Sequence, residues 1–203
     1  TFSYWRNNSA ATFLGQNSID VEIAMEKQDM VYFSGITLAI LDSHSRKTLF
    51  SCLRMARDAG KKIAFDPNLR PKLWKDKKEM CDVIMAGANL SDIILPSFED
   101  EATWFFDADP ISTLKRYQNA GADTVVVKNA GKPISFFSQQ GIGTVPIDPV
   151  GKLIDSTAAG DSFNSEVLVG LLRKISLTEA INNGAQLAKK VIMGQGALVK
   201  SNV

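Results

Sequence analysis

The run Ile154-Asp155-Ser156-Thr157-Ala158-Ala159-Gly160-Asp161-Ser162-Phe163 sets small residues between two acids, directly ahead of an apolar helical pattern. Small side chains let backbone N–H groups close on an anion, and a helix start adds about half a positive charge. A phosphate suits such a place. Asp161 does not, because a carboxylate repels a phosphate unless it has a task there. Accepting the proton of an attacking hydroxyl is one such task. Capping the helix is another, and Asp does that well; spacing alone leaves both uses open. The chain has no Gly-x-x-x-x-Gly-Lys-Ser/Thr run. Neither Gly141-x-Gly143 nor Gly194-x-Gly196 extends to Gly-x-Gly-x-x-Gly, which argues against P-loop and dinucleotide chemistry.

Cations to meet an anionic ligand are few and must be well placed. Arg70 follows a strand-like run in a loop flanked by Pro67 and Pro71, which restrict the backbone. Asp66, Asn68 and Arg70 alternate, so an extended segment would project them to one side. A loop held by an internal Asp66–Arg70 pair is the plainer use of the same residues. Arg6 follows Tyr4 and Trp5, and its fork matches a carboxylate with two parallel hydrogen bonds. His44, the only histidine, lies between two serines and reads as surface. Cys52 and Cys81 sit in apolar patterns without metal-ligand spacing, and read as buried free thiols of a reducing compartment.

The elements that must carry these residues alternate in type. Met30–Ser34 and Lys62–Asp66 are compact strand-like runs, the second stopped by Pro67. Residues 92–95 form another, stopped by Pro96, and residues 124–128 form a Val-rich one fit for burial on both faces. Leu49, Cys52, Leu53 and Ala56 repeat at helical spacing ahead of Gly60, and residues 78–88 suggest a further helix. Residues 134–137 and 143–147 look like short antiparallel strands around a Gln-Gln-Gly turn. Two apolar stripes follow: Phe163, Val167, Leu168, Leu171 and Leu172, then Leu177, Ile181, Ala185, Ala188 and Val191 behind a Ser176-x-x-Glu179 capping box. This alternation predicts one three-layer α/β domain over residues 1–203, with a mostly parallel sheet and helices on both faces.

Composition sets the remaining bounds. The 203 residues are 45% hydrophobic and 22% charged, and the formal charge is +1. Nucleic acid and an anionic membrane are therefore not expected partners. No apolar run reaches the roughly 18 residues of a spanning helix, and a cytoplasmic location is expected. The opening Thr-Phe-Ser-Tyr-Trp-Arg reads as a strand already in progress, which suggests that an N-terminal part of the gene product is absent.

The loop at residues 154–163 resembles the Asp-Thr-x-Gly-Ala-Gly-Asp signature of ribokinase-like (PfkB) carbohydrate kinases, with Ser156 for the Thr and Ala158 for the first Gly. Its Ala-Ala-Gly-Asp form is similar to members that phosphorylate 2-keto-3-deoxygluconate. The likeness extends through Tyr4-Trp5-Arg6, Ser34-Gly35-Ile36-Thr37-Leu38-Ala39, Phe65-Asp66-Pro67-Asn68-Leu69-Arg70-Pro71, Leu95-Pro96-Ser97-Phe98-Glu99-Asp100-Glu101 and Val127-Lys128-Asn129-Ala130-Gly131. The resemblance implies a ribokinase-like fold and transfer of phosphate from ATP to a sugar acid, with Mg²⁺. It makes Asp161 the base and the N–H groups of Ala158, Ala159 and Gly160 an anion hole. It places Asn68 and Arg70 near the phosphate and substrate, and Tyr4 and Arg6 in the sugar-acid pocket. Lys128, Ala130 and Gly131 then belong to a nucleotide loop, with Asn183 and Gly196 against the adenine. The family's metal-linked Asn-x-x-Glu aligns with Ser97 and Asp100, which leaves Asp100 a contact through water. Glu99 and Glu101 read as a solvated helix start, and Glu166 stands where relatives have a small residue. A kinase of another sugar (ribose, fructose or a nucleoside) is the first alternative, and a binding fragment without turnover the second. Members pair through a lid, so a homo-oligomer is allowed but left open.

Overall fold

The computed structural model describes residues 9–151, 153–197 and 199. They fall into two compact units. One holds the described residues up to Val127 together with Phe136–Gly141; the other holds Lys128–Ser135 and the described residues from Ile142 onward.

In the first unit a 3₁₀ turn at Ala10–Phe13 leads to α1 (Ser18–Glu26), β1 (Met30–Ser34), α2 (Gly35–Ile40) and α3 (Ser43–Asp58). β2 (Lys62–Asp66), a 3₁₀ turn at Pro71–Leu73 and α4 (Lys77–Ala88) follow. The unit continues with β3 (Ile93–Ile94), α5 (Phe98–Trp104), α6 (Pro110–Asn119) and β4 (Thr124–Val127). β5 (Ile134–Ser138) and β6 (Gly141–Val145) come next, joined by Gln139 and Gln140. The strand order is β1-β2-β3-β4-β5-β6, and the first three pairings are parallel.

Register follows from apolar matching. Phe33 lies opposite Phe65 with ring centroids 4.5 Å apart, and Leu53, Ile63, Ile84, Ile94 and Val127 fill the core around them. Val125, Val126 and Val127 are all fully buried, so β4 is covered on both faces, as its unbroken Val run requires. β3 is shorter than the run from 92 to 95. Asp92 turns its carboxylate to the start of β2, where Oδ2 accepts the Ile63 N–H at 2.8 Å, and Pro96 has no N–H to extend the ladder. Asp42, Asp76 and Asp109 cap α3, α4 and α6 through Ser45, Glu79 and Ser112 N–H groups.

The second unit is built on α7 (Ala159–Leu172) and α8 (Leu177–Ile192). Ser176 Oγ accepts the Glu179 N–H at 3.2 Å, which is one arm of the expected capping box. The buried face of α8 is Ala180, Ile181, Gly184 and Val191, shifted from the expected stripe toward its smallest residues. The reason is close approach. A Cβ on Gly184 would stand 2.9 Å from the Phe163 carbonyl oxygen, and one on Gly170 would stand 2.7 Å from the Ala180 Cβ. Leu172, expected in the first stripe, is half exposed instead.

Candidate active site

In the second unit the loop ahead of α7 is shaped by its first acid. Asp155 Oδ1 accepts the Thr157 hydroxyl at 2.7 Å and its N–H at 2.9 Å, and Oδ2 accepts the Gly196 N–H at 3.0 Å. The Thr157 hydroxyl, then the two N–H groups, hold the Asp155 carboxyl below the usual carboxylate range. The Ile154 and Asp155 N–H groups both reach the Ile192 carbonyl, at 2.8 and 3.2 Å. Asp155 thus ties the loop to the turn after α8, a task its position in the sequence did not disclose.

Ala158 then turns the chain with φ +61° and stands at the N-cap of α7 without a side-chain cap bond. A Cβ in this left-handed region costs about 1–2 kcal/mol, which the glycine of the family signature would avoid. Asp161 is therefore not the cap. It is the third residue of the helix, and its side chain is exposed. The Ala159 N–H already reaches the Ser156 carbonyl at 3.3 Å. Gly160 and Asp161 supply the N–H groups that a first helical turn leaves without an intrahelical acceptor.

A cation stands over this turn. Lys128 Nζ donates to Asn164 Oδ1 at 3.1 Å and lies 3.9 Å from where a Cβ on Gly160 would be. Asn164 is 1% exposed, one turn beyond Gly160 on α7. Sequence reasoning passed over it; a lone amide inside the Phe163, Val167 and Leu168 stripe was the available signal. After Lys128 the chain turns through Ala130 at φ +41° and Gly131 at φ +78°. Gly196 is also left-handed, at φ +80°, and Asn183 is exposed on α8.

In the first unit the loop after β2 does not stay extended. Asn68 adopts φ +35° while its N–H donates to Asp66 Oδ1 at 3.1 Å, and this turn ends the alternation that would have aligned Asp66, Asn68 and Arg70. Arg70 Nη1 donates to the Leu69 carbonyl at 2.8 Å and lies 3.8 Å from Asp100 Oδ2. At that length, and about one-third exposed on both sides, the Arg70–Asp100 pair is worth well under about 1 kcal/mol. Neither side chain is locked by it. Gly35 fixes this end of the unit, because a Cβ there would fall 1.8 Å from the Pro67 carbonyl oxygen.

Glu99 is exposed, but Glu101 corrects the expectation of a solvated pair. It is fully buried and meets the Arg116 guanidinium and the Tyr117 hydroxyl at 3.0 Å. Burial pushes its carboxyl up to about 7, against the pull of Arg116 and Tyr117. The helical period from Asp100 turns Glu101 inward while Asp100 faces Arg70. His44 is exposed, and Cys52 and Cys81 are free thiols, the first buried and the second half-buried. Tyr4 and Arg6 lie outside the described residues. Among the described residues no cluster of three or more His, Cys, Asp or Glu side chains is built to hold a metal, and no helix is long and apolar enough to cross a membrane.

Parallel strands with cationic loops at their carboxyl ends, and a helix start flanked by a lysine and an aspartate, belong to α/β proteins that handle phosphorylated ligands. The comparisons narrow this class. The pfkB family carbohydrate kinase profile matches residues 1–202, and the chain belongs to that family. It is 37% identical to 2-dehydro-3-deoxygluconokinase from Haemophilus influenzae, across 98% of this chain and 65% of that protein. It superposes on the PfkB protein of Polaromonas sp. JS666 with a TM-score of 0.81 at 29% identity, over 96% of this chain and 63% of the other. Aminoimidazole riboside kinase from Salmonella enterica, solved with its riboside and an ATP analog, gives 0.73 at 26% identity over 83% and 57%. The chain thus spans between 57% and 65% of the length of these relatives.

Proposed function

We propose that the protein carrying this chain transfers the γ-phosphoryl group of ATP to a hydroxyl of a sugar acid, 2-keto-3-deoxygluconate, giving its 6-phosphate. The observation that carries the proposal is the start of α7, where an exposed Asp161 follows Gly160 in the first turn and the Lys128 ammonium stands 3.9 Å from where a Cβ on Gly160 would be. The names of the relatives support the substrate class.

The residues present fit a triphosphate. Gly160 has no Cβ to fill the space beneath Lys128, and the helix start and ammonium are both positive. Mg²⁺ would be carried mainly by phosphate oxygens and water, its usual habit, with Asp100 as an outer contact. Bound ATP supplies the transferable phosphoryl group, and Mg²⁺ screens its charge. Asp161 takes the proton of the attacking hydroxyl, so that the oxygen bonds to phosphorus as ADP departs. The N–H groups of the first turn, Ala158 to Gly160 in the family signature and Gly160 most directly here, hold the phosphoryl oxygens. Arg70, which the family signature sets near the phosphate, would neutralise charge on the group in flight. Asn68 supports that loop, Tyr4 and Arg6 receive the sugar-acid carboxylate, and Ala130, Gly131, Asn183 and Gly196 line the nucleotide.

A coupled ADP-release assay on the intact protein with Mg²⁺-ATP tests this against a panel of 2-keto-3-deoxygluconate, gluconate, ribose, fructose and a nucleoside. The sugar acid is expected to give the highest kcat/KM, by at least about tenfold. A preference for fructose or ribose would overturn the substrate assignment and leave the family chemistry in place.

A further inference from the structure

The buried amide of Asn164 has no part in the transfer described above. Its side chain is 1% exposed, within a helix face otherwise made of Phe163, Val167 and Leu168. A polar group in such a place is kept only when its hydrogen bonds are made, because burying it without partners costs about 1–3 kcal/mol. An apolar side chain would pack there without that condition. One of its contacts is informative: Oδ1 accepts from Lys128 Nζ at 3.1 Å. Lys128, which follows Val127 in the chain, carries its ammonium on a stem with four rotatable bonds that water alone would leave in many rotamers.

Two features bear on where that ammonium rests. The amide lies one helical turn past Gly160, so a cation bonded to it is drawn along the helix toward the first turn. Gly160 leaves the space, since Nζ stands 3.9 Å from its missing Cβ. The ammonium thereby stands close to Gly160 in the first turn, where its charge adds to that of the helix start.

We infer that Asn164 is a positioning residue: it holds the Lys128 ammonium over the first turn of α7 so that the cation and the Gly160 N–H meet the same phosphate. The inference rests on the proposed phosphate site and extends it to a residue that touches no ligand. Asn164 acts through Lys128, so removing the amide matters only while the lysine is present.

The test is a double-mutant cycle in the intact protein, with tripolyphosphate as the probe, measured by calorimetry, and thermal unfolding as a control on the fold. Lys128→Met is expected to weaken tripolyphosphate binding by about tenfold or more, the scale of a charge-assisted hydrogen bond. Asn164→Ala is expected to weaken it by several-fold. The double variant should bind no worse than Lys128→Met alone, within about twofold. Multiplied effects in the double variant would overturn the inference, as would an Asn164→Ala protein that binds like wild type. Should Asn164→Ala fail to fold, Asn164→Ser keeps a smaller acceptor and enters the same cycle. Lys128→Met alone is also decisive, since unchanged binding there removes the cation from the phosphate whatever Asn164 does. Wild-type protein that binds no tripolyphosphate at all would defeat the phosphate site itself, an outcome distinct from a failed cycle.

Discussion

Asp161 and Glu101 show how differently two acids of one chain are used. Asp161 stands exposed in the first turn of α7, directly after Gly160. Glu101 is closed into a cluster with Arg116, Asp107 and Tyr117 that joins α5 to α6. Burial raises Glu101 to about 7, above its ordinary value of 4.5. Below pH 4.5 the folded and unfolded chains both carry this proton and the group is neutral to stability. Between pH 4.5 and 7 the unfolded chain releases it while the folded one keeps it, so stability falls as pH rises, and it levels off above 7. Urea unfolding of wild type and Glu101→Gln at pH 4.5, 6 and 7.5 isolates the effect. The wild type should lose on the order of 3 kcal/mol relative to the variant across that range. A constant difference would show that the pull of Arg116 and Tyr117 cancels the burial and leaves Glu101 at its ordinary value.

At the scale of elements, the second unit depends on two helices that meet through glycine. Alanine favours an isolated helix over glycine by about 1 kcal/mol. At Gly170 and Gly184 that gain is outweighed, because the new Cβ meets the Ala180 Cβ at 2.7 Å and the Phe163 carbonyl at 2.9 Å, neither of which can swing aside. Gly170→Ala and Gly184→Ala should each lower stability by about 1–3 kcal/mol in urea unfolding. Gly184→Ala should also disturb the phosphate site, since it presses on Phe163, two residues past Asp161. These contacts were not legible in the sequence, whose apolar period placed Ala185 and Ala188 on the α8 seam where the structure uses Ala180 and Gly184. A period reports which residues are apolar, whereas the seam was decided by which are small. The strands were legible for the opposite reason: Met30–Ser34 and Lys62–Asp66 are compact runs in the sequence itself, and β2 ends where Pro67 stops it locally.

For the whole molecule, a formal charge of +1 means that no long-range field draws in an anionic nucleotide, so affinity must come from a few placed groups. The family was legible because the 154–163 loop and five further ordered runs resemble its signature, whereas spacing alone left Asp161 open as base or cap. The supports of that loop were not: Asp155 holds it through Gly196, 41 residues away, and Lys128 reaches Asn164 across 36 residues. Such pairings depend on the tertiary path of the chain, which no local spacing encodes. The Asn68 turn was hidden likewise, since a left-handed asparagine leaves no mark beyond its own identity. All of the proposed chemistry turns on proton removal by Asp161. The most direct measurement is single-turnover phosphoryl transfer by Asp161→Asn in the intact protein, with ATP affinity determined separately. The predicted result is a rate lowered by at least about 10²-fold with ATP affinity within a few-fold of wild type; transfer at near the wild-type rate would contradict the account.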